Sequence, residues 1–133
     1  MTSTPLELDR LDHFVLTVRD IDETCAFYET VFGMRRVEFG EGRVALHFGD
    51  HKINLHPNPS PVEPKAAVPI PGSADFCVIA SVDPEEVARR LRGWGIGIER
   101  GPVATVGALG DMRSVYFRDP DGNLVEVACY PDD

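Results

Sequence analysis

The sequence predicts an α+β domain built from two copies of one unit, each reading strand, helix, strands. Its length of 133 residues fits a single domain, since domains usually run about 100–150 residues. Its 43% hydrophobic and 26% charged residues supply enough apolar material to close a core. The third observation is an internal repeat: DHFVLTV from Asp12 and RVALHFGDHKINLH ending at His56 are matched by ADFCVIASV from Ala74 and SVYFRDPDGNLVEV ending at Val127.

Each element has a local cause. The first module spans residues 11–56 and opens on the apolar strand after Asp12. Its helix begins at an N-cap, Asp20, with Glu23 three residues on. Ile21, Cys25, Tyr28 and Phe32 then form one apolar stripe before Gly33. Gly49-Asp50-His51-Lys52 reads as a hairpin turn, and Ile53-Asn54-Leu55-His56 as a strand with Ile53 and Leu55 on one face and Asn54 and His56 on the other. A linker, 57–73, follows; six prolines between Pro57 and Pro71 forbid a helix or a central strand there. The second module, 74–130, repeats the plan. Asp83 caps its helix, Pro84 takes the first helical position, Glu86 completes a capping box, and Val87, Leu91 and Trp94 share a face before Gly95. Asp119-Pro120-Asp121-Gly122 reads as a hairpin turn with no further role.

Charge and composition exclude several functions. A formal charge of −9, with no basic cluster beyond Arg89, Arg90 and Arg92, argues against a nucleic-acid or anionic-membrane partner. Apolar runs such as Phe76 to Ala80 fall far short of the roughly 20 residues of a membrane span. The N-terminus lacks a basic start followed by an apolar stretch, so a cytoplasmic location is expected. Cys25, Cys77 and Cys129 are too few and too dispersed for a disulfide framework or a Cys-x-x-Cys zinc site, and read as small buried hydrophobes.

The repeat also aligns polar residues. An offset of 62 residues sets Phe14 on Phe76 and His13 on Asp75, while an offset of 70 aligns the terminal hairpins without a gap and sets His56 on Glu126. A Glu between Val125 and Val127 is expensive to bury unpaired, a cost that a metal ion or a buried cation would resolve. Two imidazoles and a carboxylate, with Asp75 as a fourth oxygen donor, suit a divalent first-row ion and leave positions open for water or substrate. His47, matched to Phe117, and His51, in a turn, are read as non-ligands.

LDHFVLTVRDID at 11–22, AFYETVFGM at 26–34, KINLH at 52–56 and SVYFRDPDGNLVEV at 114–127 resemble the vicinal oxygen chelate superfamily of glyoxalases, bleomycin-resistance proteins and extradiol dioxygenases. The texture is that of its small glyoxalase-domain members, some described as virulence-associated. The resemblance implies two tandem βαβββ modules whose curved sheets form a cleft, with a divalent metal at positions matching His13, His56, Asp75 and Glu126. Glyoxalase I has Glu where this chain has His56, and His where it has Asp75, so the ligand types are exchanged between modules. Tyr116 resembles the active-site tyrosine of extradiol dioxygenases, able to orient or protonate a bound oxygen. Arg113 and Arg118 flank that strand and could meet an anionic substrate.

The function expected is a divalent-metal-dependent, glyoxalase-like enzyme (Zn, Ni, Mn, Mg or Fe) acting on a small molecule with vicinal oxygens. Lyase or isomerase chemistry is favoured over dioxygenation. The alternative is a metal-free protein that sequesters a drug or metabolite, as bleomycin-resistance proteins do. Short two-module members commonly dimerise by exchanging modules, so a homodimer is expected, with His13 and His56 of one chain sharing an ion with Asp75 and Glu126 of the other.

Overall fold

The structure is a computed structural model and describes residues 3–131. Its elements follow in the order β1 (His13–Val18), α1 (Ile21–Phe32), β2 (Arg35–Phe39), β3 (Arg43–Phe48), β4 (His51–Pro57), β5 (Asp75–Ile79), α2 (Pro84–Gly93), β6 (Ile98–Gly107), β7 (Gly110–Arg118) and β8 (Leu124–Cys129). Two four-stranded sheets result, ordered β1-β4-β3-β2 and β5-β8-β7-β6, in which the first and last strands of each module pair in parallel. This is the two-module βαβββ architecture.

The helix boundaries follow the caps. Asp20 accepts from the Glu23 amide at 2.9 Å, and Gly33 closes α1 in the left-handed region at φ 64°. Asp83 accepts from the Glu86 amide at 2.8 Å, and Glu86 binds Arg89 and Arg90 along the exposed face of α2. Trp94 departs from the expected stripe: it is the C-cap of α2 and stays 43% exposed, while Ala88 and Leu91 are buried.

Cys25 and Tyr28 of α1 bury against Leu16, Val18, Ile53 and Leu55 of the first sheet, and Leu91 of α2 against Val115, Phe117, Val125 and Val127 of the second. The two cores are continuous. Phe27 and Phe32 of α1 pack on both, Phe76 of β5 packs on both, and the Phe14 and Phe76 rings lie 4.8 Å apart. The modules therefore join through the faces that carry the helices.

The turn at 119–123 is more than a turn. The buried Asp119 carboxylate accepts from the amides of Asp121 and Asn123, from Asn123 Nδ2, and from the Tyr28 hydroxyl of α1 at 2.9 Å. Asp121 accepts from Arg19 Nε at 2.9 Å, and Asn123 Oδ1 from the Ala74 amide. The second module's hairpin is thus tied to the first module's helix and to its own first strand.

Hairpin length also corrects the repeat. Phe14 pairs with Ile53 and Phe76 with Val125, so the 62-residue offset of β1 and β5 sets β4 and β8 at 72, not 70. A gapless match fails because Gly49-Asp50 alone joins Phe48 to His51, whereas residues 119–123 join Arg118 to Leu124. The counterpart of Glu126 is Asn54, and His56 matches Ala128.

Candidate functional site

Strand alternation divides each sheet into the helix-bearing face and an inner face on the opposite side. Register partners share a face, so the first inner face carries His13 and Lys52, Val15 and Asn54, Thr17 and His56, with Ala45 and His47 on β3 and Arg35, Val37 and Phe39 on β2. The second carries Asp75 and Leu124, Cys77 and Glu126, with Ser114, Tyr116 and Arg118 on β7. Every candidate residue, His13, His56, Asp75, Glu126 and Tyr116, stands on an inner face.

On the second sheet, Glu126 Oε2 accepts from Ser114 Oγ at 2.6 Å, and Ser114 Oγ lies 2.6 Å from Thr105 Oγ1. Tyr116 is the register partner of Glu126 across β7 and β8, and Cys77 its partner across β5. Partial burial and then the Glu126 charge raise the Tyr116 phenol above its ordinary range. The same two causes, in the same order, push the Cys77 thiol up to about 11. At neutral pH both keep their protons and can donate toward a ligand. Cys77 corrects the expectation of three buried cysteines: Cys25 is buried, Cys129 intermediate, and Cys77 exposed, because it falls on the open face of its strand.

The first inner face is partly covered. The linker packs over it, and a cavity of about 110 Å³ is lined by Thr17, His56, Pro64, Lys65, Val68 and Ala74, among others. Asn54 and His56 are consequently buried, at 5% and 3% exposure. Arg43 lies 3.3 Å from His56 Nε2, its Nη2 positioned to donate. Burial first, then Arg43 and Lys65, lower the His56 pKa, favouring the neutral ring. His13 is exposed at the sheet edge, its Nδ1 2.7 Å from Asp12.

Among the described residues, no three His, Cys, Asp or Glu side chains of one chain converge as a metal set. The candidate donors fall into two groups, one per sheet, on opposite sides of the shared core. His13, Asp75 and Glu126 present ligating atoms on the inner faces. His56 fits an ion poorly, because a guanidinium occupies its Nε2. Arg113 and Arg118 are held in ion pairs with Glu85 and Glu99, respectively. Ser114 carries no signal in the sequence; Asn54 shares a strand face with His56 and Cys77 sits in an apolar run, but which face stays open is not readable from either strand alone.

A model of the glyoxalase/bleomycin resistance protein/dioxygenase superfamily matches residues 10–127. The chain belongs to this superfamily. It is 49% identical over 128 residues to virulence protein STM3117 of Salmonella typhimurium, covering 96% of this chain and 89% of the relative. The crystal structure of that protein superposes with a TM-score of 0.91 at 50% identity, covering 94% and 99% of the two chains. Glyoxalase domain-containing protein RDO1 of Mycosarcoma maydis is 46% identical, over 96% of this chain and 72% of the relative. Lactoylglutathione lyase from Agrobacterium tumefaciens shares the fold with a TM-score of 0.72 at 27% identity, covering 92% and 95%. Superfamily members commonly use divalent metals. No described helix of this member is long and apolar enough to cross a membrane.

Proposed function

We propose that this superfamily member is a divalent-metal-dependent enzyme of the isomerase or lyase type, acting on a small substrate with two neighbouring oxygens. We further propose that it works as a homodimer, each cleft joining the first sheet of one chain to the second sheet of its partner. The observation that carries this reading is the placement of His13 on one inner face and of Asp75 and Glu126 on the other, both opposite the shared core. Such donors complete a set only when inner faces of two chains are apposed. Chain relatives of the glyoxalase type support the reaction class.

In this reading His13, Asp75 and Glu126 hold the ion. When bound, a redox-silent ion such as Zn, Ni, Mn or Mg supplies Lewis acidity to adjacent substrate oxygens, and Fe would add oxygen chemistry. The chain's own residues prepare the rest. Ser114 donates to Glu126 Oε2 and fixes the orientation of the carboxylate that would meet an ion or a substrate proton. Tyr116, protonated and beside Glu126, donates to a substrate oxygen on which negative charge develops. The Arg43–His56 contact favours a second reading, metal-free sequestration of a small molecule in the same cleft.

Elemental analysis of tag-free protein, followed by metal titration, separates the two. About one ion per protomer is expected, and Glu126→Gln, which keeps size and removes charge, should weaken binding at least tenfold. Absence of any ion at neutral pH would leave the sequestration reading. Unchanged affinity in Glu126→Gln would move the site elsewhere.

A further inference from the structure

The cations of this chain are scattered in sequence but gathered in the fold. Arg35, Arg43 and Lys52 stand on the inner face of the first sheet with His13, His47 and His56. The strand residues of that face include no Asp or Glu, in a chain whose formal charge is −9. Arg43 and Lys52 both lie against the Phe39 ring, at 4.7 and 4.3 Å from its centroid. Two like charges are thereby held close together, and among the described residues neither is within salt-bridge distance of a carboxylate; the nearby arginines of other faces are paired, as Arg36 is with Asp22. Lys65, in the linker over this face, adds to the positive field at His56, but its ammonium is paired with Glu63 at 2.9 Å, so it is not among the free cations.

Buried polar atoms at this spot also lack partners. Arg43 Nε, Asn54 Oδ1 and His56 Nδ1 have none within the protein, and the three residues lie on adjacent strands of one face. An unmet buried group costs about 1–3 kcal/mol, so these atoms call for a partner from outside the chain, water or ligand. Of these atoms Arg43 Nε donates, His56 Nδ1 donates when Nε2 accepts from Arg43, and Asn54 Oδ1 only accepts. Two donors beside two cations select an acceptor carrying negative charge, and the planar donors of a guanidinium suit an oxyanion.

We infer that the inner face of the first sheet is an oxyanion site, at which Arg43 and Lys52, with His56 behind them, take a carboxylate or phosphate group of the substrate. This rests on the reading that the inner faces hold a small-molecule site, and it narrows the substrate to an anionic one. The charged group anchors the molecule on the first sheet, which leaves its uncharged oxygens toward Glu126 and Tyr116 of the apposed second sheet.

The test is NMR titration of EDTA-treated, desalted full-length protein with sodium malonate, inorganic phosphate or sodium chloride at matched ionic strength. Arg43 Nε–H and the His56 ring nitrogens are the reporters. Malonate or phosphate should shift both saturably while chloride does not, and whichever oxyanion binds identifies the group. Arg43→Gln should weaken that binding at least tenfold, and Lys52→Gln, a surface change that does not threaten folding, about threefold. No saturable shift, an equal response to chloride, or unchanged affinity in both variants would overturn the inference. Because the protein is metal-free, a failure to bind metal in the earlier experiment and a failure to bind oxyanion here are separate results.

Discussion

Tyr28→Phe isolates the bond that ties the two modules together. The ring is fully buried and keeps its packing in the variant, so the change removes only the hydroxyl that donates to Asp119 Oδ2 at 2.9 Å. Asp119 is 5% exposed, so water does not readily replace the lost donor, and Asn123 Nδ2 remains at 2.8 Å on the same oxygen. A hydrogen bond to a charged acceptor contributes about 1.5–3 kcal/mol, which fixes the expected loss. For a chain of this size that corresponds to a melting temperature about 5–12 °C lower. Urea unfolding at fixed protein concentration should show the midpoint falling with the slope unchanged, since no new surface is exposed. Asp119→Ala strips the acceptor from four donors at once and should cost more, about 4 kcal/mol or above. A Tyr28→Phe variant within about 0.5 kcal/mol of wild type would refute the argument, showing that the hairpin does not depend on the helix for its stability.

His56 gives a pH signature. Burial, Arg43 and Lys65 hold its folded pKa below the ordinary 6.5, so the unfolded chain takes the proton more readily. The resulting stability is present above pH 6.5 and is lost as pH falls toward the folded pKa. His56→Gln should therefore flatten the decline in urea midpoint between pH 7.5 and 5; an unaltered slope would place the titrating group elsewhere. The shared site predicts complementation: His13→Ala and Glu126→Ala protein, each impaired in metal binding, should partly recover it when mixed under subunit exchange, because a mixed dimer holds one intact site. No recovery after confirmed exchange would reject a site built from two chains.

The elements were legible because their causes are local. Asp20 and Asp83 cap helices through amides three residues away, and the alternation of Ile53 and Leu55 with Asn54 and His56 depends on nothing outside the strand. What was not legible depended on distance. The turn at 119–122 looked ordinary because its partners, Tyr28 and Arg19, lie 91 and 102 residues away. The counterpart of Glu126 was displaced by one pleat repeat, from Asn54 to His56, because two hairpins of similar sequence close with different loop lengths. Alternation also cannot say which face of β5 is covered, so Cys77 looked like a core residue. The cationic face is not legible in the sequence for the same reason: Arg35, Arg43 and Lys52 belong to three strands and share a face only through the register.

The charges on the two inner faces bear on how chains would meet. The first face is cationic across β2, β3 and β4, whereas the second places Asp75 and Glu126 on and beside its edge strand β5. Two first sheets brought together would set Arg43 and Lys52 against their own copies, and like-charge juxtaposition is unfavourable. A first sheet facing a second sheet would instead oppose Arg43 and Lys52 to a face that carries Asp75 and Glu126. Such a pairing cannot form inside one chain without separating the continuous core that holds Phe14 against Phe76 and Phe27 against Phe117. Between two chains the proposed pairing would form twice around one twofold axis, giving two equal sites from a single self-complementary contact. The core that joins the modules back to back and the unlike charges of their inner faces thus favour the same assembly, and neither depends on whether a metal is bound.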